Sequence, residues 1–103
     1  MAVVNTITLI KSGSTFADVD EVRSDIQAII NDASYLTYMN DLKTAGTMTV
    51  TEEFNTDTQI YTSVRTFDDE VYATWNNDKK PNVATNKSAL ESAGYTISSK
   101  ISS

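Results

Sequence analysis

Two short stretches constrain most strongly what this chain can fold into. Leu42-Lys43-Thr44-Ala45-Gly46 precedes one strand-like run, and Leu90-Glu91-Ser92-Ala93-Gly94 precedes another 48 residues later. Each joins a helix end, a glycine stop and an immediate strand. Read minimally, they are two similar helix-to-strand turns. Read further, they are the pseudo-repeat of two βαβ halves. Both readings give the same order of elements, β-α-β-β-α-β.

The rest of the chain fills that frame. Val3 to Ile10 is rich in Val, Ile and Thr, a strand composition, and Lys11-Ser12-Gly13-Ser14 ends it with turn chemistry. Val19, Val22, Ile26, Ile29, Ile30 and Ala33 recur at helical spacing. Asp18 and Glu21 form a capping-box pattern at its start. Leu36, Met39 and Leu42 prolong the stripe across Asn31-Asp32, so this region is one long helix or two abutting ones. Thr47–Phe54 and Ile60–Phe67 read as a hairpin. A loop over 55–59 puts Met48, Val50 and Phe54 on one face with Ile60 and Val64. The opposite face then carries Thr47, Thr49, Thr51, Glu53, Tyr61, Ser63, Arg65 and Phe67. A second helix starts near Asp68, with Phe67, Val71 and Trp75 on one side. Residues 76–81 are a polar break, a third helical piece covers Val83–Ala93, and Tyr95–Ile101 is the last strand. The chain, 1–103, reads as one α+β domain: a four-stranded antiparallel sheet with helices on one face.

Composition excludes several kinds of chemistry. There is no Cys and no His, which removes disulfides, thiolate nucleophiles and the commonest acid/base and metal-binding side chain. The net charge of −6 argues against binding phosphate backbones directly. No apolar run reaches membrane-spanning length, and Met1–Thr6 lacks the basic and apolar regions of a secretion signal. A cytoplasmic protein, or one assembled inside a host cell, is expected.

Few residues carry recognisable chemistry. The carboxylates at 18–21 and 68–70 stand where helices begin, which capping explains. No metal or cofactor site is expected. Glu52 falls between Val50 and Phe54 on the apolar face of the hairpin. It is either an edge carboxylate that reaches water or a half-buried one with a raised pKa in a pocket. In the second case Arg65 and tyrosines such as Tyr61 are its partners. Tyr61 and Phe67 are large for a wetted sheet face. Either they mark a dimer face together with Thr49, Thr51, Glu53 and Arg65, or the chain is a monomer whose antiparallel sheet keeps one wet face.

The element order is ferredoxin-like and resembles the dimeric α+β barrel superfamily, which includes the antibiotic-biosynthesis monooxygenase-like proteins. The local likeness is Val64-Arg65-Thr66-Phe67-Asp68-Asp69-Glu70-Val71-Tyr72-Ala73-Thr74-Trp75, where a strand carrying an arginine runs into a helix ending near a tryptophan. The resemblance implies a homodimer and, as one alternative, a cofactorless monooxygenase-like enzyme. Members acting on quinones or haem often use His, Asn and Trp, and this chain has no His. The composition also looks like that of a small marine tailed-phage accessory protein. The leading expectation is a small self-associating binding or accessory protein without a conventional catalytic site. An acidic inhibitor or virion accessory protein that binds a protein partner is a further alternative. A deep apolar pocket with convergent polar groups favours the enzyme, and a filled core with an exposed Thr-rich sheet favours binding.

Overall fold

The computed structural model describes residues 2–102. Among these, the elements run β1 (Ala2–Lys11), α1 (Val19–Ile29), α2 (Ala33–Thr44), β2 (Met48–Asn55), β3 (Ile60–Asp68), α3 (Asp69–Asp78), α4 (Lys80–Ser92) and β4 (Tyr95–Ser102). The strands form an antiparallel sheet in the order β2-β3-β1-β4. β3 is inserted between β1 and β2, which is the split βαβ arrangement. The helices pack on one face, so the fold is α+β and ferredoxin-like, as expected.

Residues 18–45 form two helices. At the start of α1, Asp18 Oδ1 accepts from the Glu21 N–H at 3.0 Å, and Glu21 Oε2 accepts from the Ala17 N–H at 3.1 Å. This is a capping box displaced by one residue on its return arm. The break falls at 30–32, where Ile30 is extended. Asp32 caps α2 by accepting from the Tyr35 N–H at 3.1 Å, and its second oxygen accepts from Asn82 of α4 at 2.9 Å. At the end of α2, Gly46 has φ +76°. Its N–H bonds to the Lys43 carbonyl and the Thr47 N–H to that of Leu42, both at 3.1 Å. That is a Schellman stop, which the left-handed glycine makes possible. The polar break expected over 76–81 shrinks to Lys79. α4 starts at Lys80, ahead of the expected Val83, because Pro81 lies in its first turn, where a missing N–H is harmless.

The hairpin corrects the sequence reading. Asn55 is still paired with Ile60, so the loop is one residue shorter than 55–59. Asn55 Oδ1 accepts from the N–H groups of Asp57 (2.9 Å) and Thr58 (3.1 Å) and shapes the turn itself. Gln59 completes it at φ 60°. Its side chain accepts from the Phe16 N–H at 2.7 Å and donates to the Phe16 carbonyl at 3.2 Å. A one-residue change of register turns every β3 side chain over. Tyr61, Ser63, Arg65 and Phe67 therefore lie under the helices, opposite Phe54, Glu52, Val50 and Met48.

Two apolar clusters fill the space between sheet and helices. One joins Leu9, Val22, Tyr61, Leu90 and Tyr95. The other joins Tyr35, Met39, Met48, Phe67 and Trp75. Phe67 is fully buried and stacks near Trp75 and Tyr72, with ring centroids 5.1 and 5.8 Å away.

Candidate functional site

Between the two clusters lies a cavity of about 350 Å³, at the lower end of the range of small-molecule sites. Its floor is the helix-facing side of three strands. β1 supplies Asn5, Ile7 and Leu9, β3 supplies Tyr61, Ser63 and Arg65, and β4 supplies Ile97, Ser99 and Ile101. Its roof comes from all four helices: Ile26 and Ile30 near the end of α1, Tyr35 of α2, Tyr72, Trp75 and Asn76 of α3, and Val83, Asn86, Lys87 and Leu90 of α4. The breaks at 30–32 and at Lys79 divide the helical layer into short pieces. The cavity is where those pieces meet.

The polar part of the floor is centred on Asn5 and Arg65, which face each other across the β1–β3 ladder. Asn5 is only 4% exposed, and its Oδ1 has no hydrogen-bond partner among the described residues. A buried, unpaired amide oxygen is costly and uncommon in a folded protein. Arg65 is half-buried and makes no ion pair or hydrogen bond among the described residues. Ser63, also buried, sits on the same strand two residues before it. On the roof, Trp75 Nε1 donates to the Tyr35 hydroxyl at 3.2 Å, leaving that hydroxyl its own proton to give.

Charge is distributed unevenly. Arg65 and Lys87 line the cavity, and none of the chain's fourteen Asp and Glu does. Among the described residues, no carboxylate, thiol or imidazole is therefore positioned in it to take a proton. The lining can hold apolar surface, donate hydrogen bonds and attract negative charge.

Glu52 does not belong to this lining. It lies on the helix-facing side of β2, as the sequence reading placed it, but its partners differ. Arg23 of α1 grips it through Nε (3.1 and 3.2 Å) and Nη2 (3.0 Å), and the Tyr61 hydroxyl donates to it at 2.6 Å. Burial alone would raise the Glu52 pKa, but the hydrogen bonds from Arg23 and Tyr61 and the Arg23 charge outweigh it and leave it lowered. Of the two readings of Glu52, the half-buried carboxylate with a raised pKa paired with Arg65 is thus corrected: its pKa is lowered, Arg65 stands apart, and Arg23 takes the partner's place. Burial and the adjacent carboxylate push the Tyr61 hydroxyl well above its ordinary range. A second cluster repeats the pattern beside α1. Asp25 accepts from Tyr95 at 2.5 Å and from Lys11 at 2.9 Å. Among the described residues, no group of three or more acidic side chains could hold a metal ion.

The expected dimer face divides in two. Thr49, Thr51 and Glu53 do lie on the open side of the sheet, whereas Tyr61, Arg65 and Phe67 lie on the other. The open side carries instead Val4, Thr6, Thr8 and Ile10 of β1, Ile60, Thr62, Val64 and Thr66 of β3, and Thr96, Ser98 and Lys100 of β4. Thr8 and Ser98 hydrogen-bond across it. Ile10 and Ile60 are exposed on this side.

Of the three residues expected to share a pocket, Tyr61 and Arg65 line the cavity and Glu52 only anchors Tyr61. Sequence reasoning missed Asn5, although a signal was there. Alternation along β1 puts Val3, Asn5, Ile7 and Leu9 on one face, and Asn5 is the polar member. The contributions of Tyr72, Asn76, Asn86 and Lys87 had no such signal, because they depend on how α3 and α4 lie over the sheet. No protein-family model, curated protein or solved structure matches the chain.

Proposed function

We propose that this is a small-molecule-binding protein that works as a self-associated pair, without a conventional catalytic centre. The cavity carries the first part. Its apolar walls, the almost fully buried Asn5 with an Oδ1 that has no partner among the described residues, and an Arg65 with no ion pair among them make a mixed lining that packing alone does not require. The chain contains a single tryptophan, and it lines the cavity, so ligand entry reports on its fluorescence. Titration with a neutral arene such as 3-phenylpropanamide is expected to change Trp75 emission saturably. Leu90→Trp, which fills the space, is expected to abolish the calorimetric binding signal. Absence of a signal in the native protein with any apolar probe would remove this reading.

Self-association is supported by the open sheet face. A two-fold axis parallel to the strands would lay the β2 edge of one copy over the β4 edge of the other. Glu53 then lies over Ser98, two residues from Lys100, and Ile10 and Ile60, at one end of the two middle strands, meet their counterparts, a closed self-complementary arrangement. The monooxygenase-like alternative keeps one specific support: Asn5, Asn76, Asn86 and Trp75 all line the cavity, and Asn and Trp are residue types that the resemblance implies. Oxygen uptake in the presence of a quinol tests it directly.

A further inference from the structure

We infer that the molecule held in the cavity is an organic anion, a carboxylate on an apolar, ring-sized body, with its acid group on Arg65. This rests on the small-molecule reading above and deepens it.

Charge bias is the first ground. The protein is acidic, with fourteen Asp and Glu against eight Lys and Arg, yet two of those eight cations line the cavity and none of the acids does. Two acids on neighbouring elements are already committed elsewhere. Glu52 is bound by Arg23 and Tyr61, and Asp25 by Lys11 and Tyr95. Those contacts leave Arg65 as a guanidinium among apolar walls with no counter-ion among the described residues. A half-buried arginine in such a place is stabilised by a planar anion that its fork can grip with two bonds.

Asn5 supplies the second ground. It is the register partner of Arg65, it is almost fully buried, and its Oδ1 has no donor among the described residues. A hydroxyl beside the carboxylate of the ligand reaches both groups at once, one oxygen to Arg65 and one O–H to Asn5. The body of the ligand rests on Ile7 and Ile97 below and is covered by Trp75 and Tyr72, whose rings stand 5.7 Å apart at 40°.

Size and chemistry exclude the near alternatives. A nucleotide brings several phosphates that the acidic surface repels, and one guanidinium with one lysine is too small a set of donors to hold them. A fully apolar ligand leaves both Arg65 and Asn5 unpaired, which a buried polar site opposes.

The test compares 3-phenylpropanoate, its 2-hydroxy derivative and the neutral 3-phenylpropanamide on the full chain, followed by Trp75 fluorescence and calorimetry. The anion is expected to bind at least ~10-fold more tightly than the amide, the size of effect that one charge-assisted hydrogen bond produces. The 2-hydroxy acid is expected to bind more tightly again. Arg65→Gln is expected to erase the acid–amide difference while the amide still binds, which shows that the variant is folded and the cavity intact. Equal affinity for acid and amide in the native protein overturns the anion assignment and leaves the small-molecule reading standing. Failure of all probes to bind overturns both. Retention of the acid preference in Arg65→Gln overturns the role given to Arg65.

Discussion

Asn5 and Trp75 show how single residues set stability and binding against each other. Asn5 occupies a position where its strand otherwise turns Val3, Ile7 and Leu9 inward, and its amide oxygen is enclosed without a donor among the described residues. Replacing an unsatisfied buried polar group by an apolar one removes a desolvation penalty, so Asn5→Leu is expected to stabilise the free protein by about 1 kcal/mol in urea unfolding. The same variant is expected to weaken binding of the 2-hydroxy acid. Trp75 does the opposite. It holds Phe67, Tyr72 and Tyr35 together on one side and faces the cavity on the other. Trp75→Ala is expected to cost about 3 kcal/mol, the low end for a buried tryptophan, because some of its surface already borders open space. A loss under about 1 kcal/mol in the same assay would show that the aromatic cluster is not a stability anchor.

At the scale of elements, α1 is fastened to the sheet at two points by the same device, a carboxylate that accepts from a buried tyrosine and a cation. Glu52 with Tyr61 and Arg23 is one, and Asp25 with Tyr95 and Lys11 is the other. Tyr61→Phe, which deletes one hydroxyl, is expected to cost about 1–2 kcal/mol. The pH dependence follows from the direction of each shift. Burial opposes ionisation of Glu52 and Asp25, but their hydrogen bonds prevail, and both pKa values lie below the ordinary 4.5 and 3.8. A lowered folded pKa means that the stabilisation is complete above the ordinary value and is lost as pH falls through the depressed one. Tyr61 and Tyr95 are raised above the ordinary 10.0 by burial and then by those carboxylates. Their contribution is complete below pH 10.0 and disappears as pH rises through the raised values. A plot of Tm against pH is therefore expected to be flat between these limits and to fall at both ends, with Tyr61→Phe flattening the alkaline fall. Helix ends are simpler. No atom stands within 4 Å of a Cβ added at Gly46, so Gly46→Ala is expected to cost about 1–2 kcal/mol from the left-handed backbone alone.

For the whole molecule, the sheet has one covered face and one open face, and their roles differ. Phe67→Asp places a charge in the aromatic cluster and is expected to unfold the protein. Ile10→Asp with Ile60→Asp changes only the open side. In sedimentation equilibrium at micromolar concentration the native protein is expected to run as a dimer, and the double variant as a folded monomer with unchanged circular dichroism. A native monomer, or a dimer indifferent to both substitutions, would retire pairing through this face.

Local signals make most of the fold legible in the sequence. The helix stops at Gly46 and Gly94, the cap at Asp18 and the Val/Ile/Thr strands depend on chemistry within a few residues, so the order of elements and the α+β class follow from them. The side on which Tyr61, Arg65 and Phe67 lie depended instead on one residue of hairpin register, decided by Asn55 bonding its own turn and Gln59 reaching across to Phe16. That contact joins residues 43 positions apart, and no periodicity in the chain announces it. Glu52 was rightly placed on the helix-facing side, yet its partner Arg23 lies on α1, 29 residues earlier, and only packing brings the two together. The cavity is the extreme case. Its floor is written in strand alternation, but its roof comes from four helices, and the space between them exists because three-dimensional packing left two clusters of core separated above Asn5 and Arg65.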